Sequence, residues 1–276
     1  MNDYDKNFLR KYQKSRYEKD SILCAGFDPA IPKQREKDVL NSKYFERKSI
    51  EDGILYFLED FLDNIHEYCS AIKPNNQFLF HFSLNAYKKM NKMIHEKGLI
   101  SILDHKLGDI GSTNDAAFFW MREMGFDAVT FSPFAGNIAE SIEAAHKANI
   151  GLITLTLMSN PEAVYFMKNA IIDGQKGYEF IARTVKEYNG DGVVVGATGH
   201  ISEFDMQRIR ELIGQDMIML IPGIGSQQGD IEKVVKNGGK NILVNVSRAI
   251  MYSDTIRESA KAFNQQLNKI RKKFEE

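Results

Sequence analysis

The sequence predicts a (β/α)8 barrel with an additional helix at each end. Three observations carry that prediction. Eight short apolar runs recur along the 276 residues, a segment with helical spacing of apolar residues follows each, and no Pro/Gly/Ser-rich linker divides the chain. Strands of such a barrel are buried on both faces, by helices outside and packed side chains inside, so they read as continuous apolar runs. An open doubly wound sheet is the alternative, but no GxGxxG follows the first run to support it. One domain spanning residues 1–276 is expected.

The polar N-terminus reads as a helix over 2–18. The strand candidates follow: "ILCAGF" (22–27), "SAIKP" (70–74), "LISILDHK" (99–106), "AVTFSP" (128–133), "GLITLTLM" (151–158), "GVVVGA" (192–197), "MIMLIPGIG" (217–225) and "NILVNVS" (241–247). Between them lie amphipathic segments such as "IAESIEAAHKA" (138–148) and "GYEFIARTVKEY" (177–188). A helix over 254–274 closes the chain.

Charge and composition exclude several classes. Lys+Arg 36 against Asp+Glu 37 leaves a net charge of −1, so no global field favours nucleic acid or an anionic membrane. Cys24 and Cys69 are too few for a disulfide framework, and a reduced cytoplasmic compartment is the simpler reading. The first twenty residues fit neither a secretory signal nor a transit peptide. No apolar run reaches the roughly 18 residues of a membrane span.

Active sites of this fold lie where strands end and βα loops begin. Polar residues stand at six such places: "FDP" (27–29), "KPNN" (73–76), "DHKLGD" (104–109), "SNP" (159–161), "PGIGSQQGD" (222–230) and "NVSR" (245–248). Asp104 and Lys106 are two apart on a strand, so both side chains are expected to point into the barrel, with His105 turned towards the helices. Asp109 lies just beyond in the loop, and Lys73 ends another strand that can approach the same centre. Like charges about 4 Å apart repel by roughly 4 kcal/mol at an effective dielectric of 20, so an alternating array is the one that stays charged. Such an array holds an ammonium protonated and in place, as a general acid requires. A lone Asp–Lys pair would read as a structural ion pair; two lysines and two aspartates at one rim favour chemistry.

The far end of a ligand is read from "PGIGSQQGD" and "NVSR", after the seventh and eighth strands, where barrels often bind phosphate. Gly223 and Gly225 let backbone approach an anion, Gln227 donates a hydrogen bond and Arg248 a bidentate charge. Asp28 at the end of the first strand suits sugar hydroxyls or, equally, an Asx-type turn before Pro29. Trp120 and the phenylalanines beside it are expected to be packing residues.

"DHKLGDIGST" resembles the D-x-K-x-x-D-I-x-x-T signature of the orotidine 5′-phosphate decarboxylase family, and "GFDP", "IKPN", "IPGIG" and "NVSR" stand in that family's order from about residue 20 to 252. The short "PGIGSQQGD" loop and the extended segment before the second strand look like the family's longer bacterial branch. The resemblance implies a cofactor-free, metal-free decarboxylase making uridine 5′-phosphate. Lys106 would protonate C6 of the pyrimidine as carbon dioxide leaves, with Asp104 beside the substrate carboxylate and Lys73 completing the network. Lys73 and Asp28 would contact the ribose, Asn75 the nucleotide, Gln227 and Arg248 the phosphate, and Ser159 the pyrimidine edge, with Pro222 in the binding set. Thr156 and Met158 stay open as alternatives to Ser159. Asp109 and Thr113 would reach into the partner's site of a homodimer. Where many members carry a long gripping loop after strand seven, this chain is short, and the segment 159–177 after strand five could serve as a partial lid.

Removing carbon dioxide from a carbon with no adjacent electron sink asks roughly 20 kcal/mol or more of an enzyme, and fixed charges in a dry site are the largest available contribution. Two other readings stay in view. Sugar-phosphate decarboxylases and hexulose-phosphate aldolases share D-x-K-x-x-D, but that resemblance implies a metal and an acidic residue near the end of strand two, where Lys73-Pro74-Asn75 stands here. The other is a phosphate or nucleotide binder without turnover.

Overall fold

The computed structural model describes residues 7–46, 48–224 and 231–275. All eight expected strands form: Leu23–Phe27, Ala71–Pro74, Ile100–Leu107, Ala128–Phe131, Gly151–Leu157, Gly192–Val195, Ile218–Pro222 and Ile242–Val246. Each pairs in parallel with the next, and the eighth closes on the first. Around them lie α1 (Asn7–Lys19), α2 (Ile50–Ile65), α3 (Leu84–Glu96), α4 (Gly111–Met124), α5 (Ile138–Lys147), α6 (Gly177–Glu187), α7 (Glu203–Ile213), α8 (Ile231–Gly238), α9 (Arg248–Met251) and α10 (Ile256–Glu275). The expected terminal helices are α1 and α10; residues 2–6 of the first lie outside the described residues. No helix among the described residues is long and apolar enough to cross a membrane.

Two hydrophobic clusters split the core between the outside and the inside of the barrel. The larger joins the outward faces of the strands to the helices. The smaller takes Cys24, Ala71, Ile100, Ile102, Ala128, Ile153, Val194, Ile218 and Leu243 from the eight strands and adds Phe8, Leu9 and Tyr12 from α1. α1 therefore plugs the end where the strands begin. Tyr12 donates to the Ile242 carbonyl and Ser15 to that of Ser70, both at strand starts. Phe8 packs so closely on the fifth strand that a Cβ at Gly151 would lie 2.5 Å from its ring, which is why a glycine opens that strand.

Two aspartates latch this closed end. Asp127, just before the fourth strand, accepts from Lys11 Nζ of α1 (2.7 Å), His95 Nε2 of α3 (2.9 Å) and the Ser101 backbone N–H of the third strand (2.8 Å). Asp191, before the sixth strand, repeats the pattern with His146 of α5 and the Leu152 N–H, each at 2.9 Å. Burial alone would raise the Asp127 carboxyl, but the bonds and charges of His95 and Lys11 hold it below its usual range. A carboxyl lowered in the folded state stabilises above its unfolded pKa, and that contribution is lost as pH falls through the folded value. Asp127→Ala is expected to cost about 3 kcal/mol at pH 7, because it orphans a buried N–H and removes the hub of three elements. Its deficit against wild type should shrink near pH 3. Urea unfolding at both pH values checks this, and an equal deficit at both would count against the latch.

One packing expectation is corrected. Phe118 is fully buried, but Phe119 and Trp120 are about half exposed. Successive helix residues point about 100° apart, so only one of three neighbours can face the core.

Candidate active site

At the opposite end, where the strands finish, the third strand is not regular. Leu103 pairs with Val129 and Leu107 with Phe131, so Asp104, His105 and Lys106 together stand opposite the single residue Thr130. A bulge of this kind bends its strand and re-aims its side chains. Lys106 has a φ of +58°, a left-handed backbone that costs a non-glycine residue about 1 kcal/mol. The Lys106 and Asp104 side chains meet, with Nζ 2.6 Å from Oδ1. The bulge brings them together, rather than the flat two-residue alternation that the sequence suggested.

Lys73, next to last in the second strand, donates to the other oxygen of Asp104. Asp104 is thus clamped between two ammonium groups. The Lys73 and Asp104 side chains are only 7% and 12% exposed, whereas that of Lys106 is 41% exposed at the open mouth. Burial alone would raise the Asp104 carboxyl, yet Lys73 and Lys106, by charge and by hydrogen bond, hold it far below the usual carboxylate range. Burial alone would likewise lower Lys73, but Asp104 and then Asp28 raise it above the ordinary lysine value. Both shifts favour the charged forms. His105 turns towards the helices, as expected, and its Nδ1 lies 2.9 Å from Asn76 Nδ2, while Asn76 Oδ1 accepts from Tyr87.

Asp28 follows the first strand. Its backbone carbonyl accepts from the Ala30 N–H and from the Tyr252 hydroxyl, both at 2.8 Å. The turn before Pro29 is therefore made by backbone, not by the carboxylate, and Asp28 Oδ1 is buried without a hydrogen-bond partner. Asn75 stands beside Asp104 in an isolated bridge and uses its Oδ1 to cap the short turn Asn76–Phe78. Of the three candidates at the end of the fifth strand, Thr156 donates to the Thr154 carbonyl and Met158 packs on the inner cluster. Ser159 is held at the rim by two glycines of the next loop: a Cβ at Gly196 would lie 2.7 Å from Ser159 Cβ, and one at Gly199 2.7 Å from Ser159 O.

Pro222 ends the seventh strand with its carbonyl accepting from the Ala197 N–H, and Gly223 beyond it takes φ +103°. Arg248 opens α9 directly after the eighth strand and is exposed. Gln227, and Gly225 with it, lie outside the described residues. Asp109 and Thr113 make no hydrogen bond or ion pair with the charge cluster in this chain. Asp109 Oδ1 accepts from the Ile110 N–H, its carbonyl from Asn114 and Asn137, and Thr113 is exposed on the first turn of α4.

Thr130 was missed. Its Oγ1 accepts from the His105 and Lys106 N–H groups and donates to Asp104 Oδ1. In sequence it is an ordinary β-branched strand residue, and only the bulge opposite gives it that place. Among the described residues no three His, Cys, Asp or Glu side chains gather in a way that could hold a metal ion.

Residues 54–263 match the orotidine 5′-phosphate decarboxylase / HUMPS family. The orotidine 5′-phosphate decarboxylase of Cupriavidus taiwanensis is 34% identical over 259 residues, 88% of each chain. That of Porphyromonas gingivalis is 31% identical over 247 residues, 86% of this chain and 85% of the relative. The structure of Leishmania donovani OMP decarboxylase superposes with a TM-score of 0.77 at 24% identity, covering 96% of this chain and 98% of that one.

Proposed function

The chain belongs to the orotidine 5′-phosphate decarboxylase / HUMPS family, and from that premise we propose that it converts orotidine 5′-phosphate to uridine 5′-phosphate in pyrimidine biosynthesis, without a cofactor, on one (β/α)8 domain acting as a cytoplasmic homodimer. The observation that carries the substrate assignment within the family is Lys73. A buried ammonium paired with Asp104 fills the strand-two position where the metal-using members are expected to carry an acidic residue.

The nucleotide would lie across the rim with its phosphate at Gly223, Gln227 and Arg248, its ribose at Lys73 and Asp28, and its pyrimidine edge at Ser159. Asn75 and Pro222 complete the binding set. The substrate carboxylate then faces Asp104, whose depressed pKa keeps it anionic. Two like charges in a partly desolvated site disfavour the bound carboxylate and not the transition state, in which that charge migrates to the ring. The C6–carboxylate bond breaks, carbon dioxide leaves, and the electron pair remains at C6. Lys106 Nζ donates its proton there and is recharged from solvent. Asp104 fixes Lys106 from 2.6 Å away, so the acid is aimed before bond breaking, and binding energy from the distant phosphate helps exclude water. Asp109 and Thr113, exposed in their own chain, would reach into the partner's site.

The test is turnover of orotidine 5′-phosphate, followed by loss of its ultraviolet absorbance. Activity is expected to survive a chelator unchanged. Loss on chelation with recovery on adding a divalent metal would move the chain to the metal-using branch, and binding without turnover would make it a nucleotide binder.

A further inference from the structure

We infer that Thr130 is the positioning residue of the site: its hydroxyl holds open the bulge that aims Lys106 at Asp104. The inference rests on the proposed role of Lys106. Between the pairs Leu103–Val129 and Leu107–Phe131 the third strand spends three residues where the fourth spends one. The ladder therefore offers the extra, partly buried N–H groups no carbonyl, and such groups need another acceptor. The Thr130 hydroxyl takes both, from His105 at 3.1 Å and from Lys106 at 2.9 Å. Its own proton goes to Asp104 Oδ1 at 3.3 Å, the same oxygen that Lys106 Nζ approaches.

A hydroxyl has one donor and two acceptor positions, and here all three are used. Thr130 is 2% exposed, so water cannot readily replace it. The hydroxyl thus ties the strained backbone of Lys106, at φ +58°, to the carboxylate that its ammonium must meet. Valine has the same shape and lacks the hydroxyl; serine keeps the hydroxyl and lacks the methyl group.

Thr130→Val is expected to lower kcat at least about thirtyfold with KM changed less than about threefold, because the phosphate and ribose contacts stand on other strands. Thr130→Ser should restore kcat to within about fivefold of wild type. Thr130→Ala, which leaves room for a water, should fall between them and decides the matter if the valine variant does not fold. A valine or alanine variant with wild-type kcat overturns the inference. So does a serine variant as impaired as the others, or a loss shared equally by kcat and KM, since a merely structural role would give those. A wild-type chain that does not turn over the nucleotide would overturn the proposed reaction instead. Positioning is then read from crystal structures of the alanine and valine variants: a retained bulge with Lys106 still on Asp104 overturns it, and a relaxed strand supports it.

Discussion

Lys106→Ala is expected to lower kcat at least about 10⁴-fold while uridine 5′-phosphate still binds within about tenfold of its wild-type affinity. A positioned general acid contributes about 10² to 10⁴, and the ammonium adds electrostatic stabilisation of the charge developing at C6. The proposed binding residues Asp28, Ser159 and Arg248 stand at other strand ends and are untouched. The fold should survive, because the Lys106 side chain is 41% exposed and Asp104 keeps Lys73. Turnover near the wild-type rate would remove Lys106 from the chemistry. The same variant tests assembly. In a heterodimer with Asp109→Ala, one site loses both residues and the other regains both. An equal mixture allowed to exchange should therefore recover about a quarter of wild-type activity, half its dimers being mixed with one intact site of two. No recovery from confirmed heterodimers would confine each site to one chain.

How much of this could be read in the sequence differs from one element to the next, for physical reasons. The eight strands were legible because double-sided burial writes each as an unbroken apolar run. Lys73, Asp104 and Lys106 were legible because charges at the ends of such runs have few other places to go. The bulge was not, since alternation encodes register only while the ladder is regular. A β-branched residue such as Thr130 carries no mark of the three residues it faces. The N-terminal helix was expected, but which end of the barrel it closes depends on how Phe8 meets Gly151, a contact 143 positions apart. The Asp127 and Asp191 latches escaped for the same reason: each joins groups from separate elements through one carboxylate.

Asp104→Asn is expected to do double damage, and the pH dependence separates the two parts. Catalytically it removes the anion that holds Lys106 and that is proposed to face the substrate carboxylate, so kcat should fall at least about 10³-fold. Structurally it strands Lys73, whose ammonium is buried at 7% side-chain exposure. In the wild type the raised pKa of Lys73 contributes stability that is present below its ordinary 10.5 and lost only as pH rises through the folded value. Without Asp104, Asp28 is the main charge left to oppose the effect of burial, and the folded pKa should drop below that ordinary value. The sign then reverses. The neutral amine is tolerated at high pH, and stability falls as protonation returns at lower pH. Breaking a buried pair from one side typically costs about 3–5 kcal/mol, so urea unfolding should show a deficit of that order at pH 7 that narrows markedly at pH 10. A deficit unchanged across that range would mean that Lys73 stays charged without Asp104. Asp28, and not Asp104, would then be its principal counter-ion, and the array would have to be redrawn around the first strand.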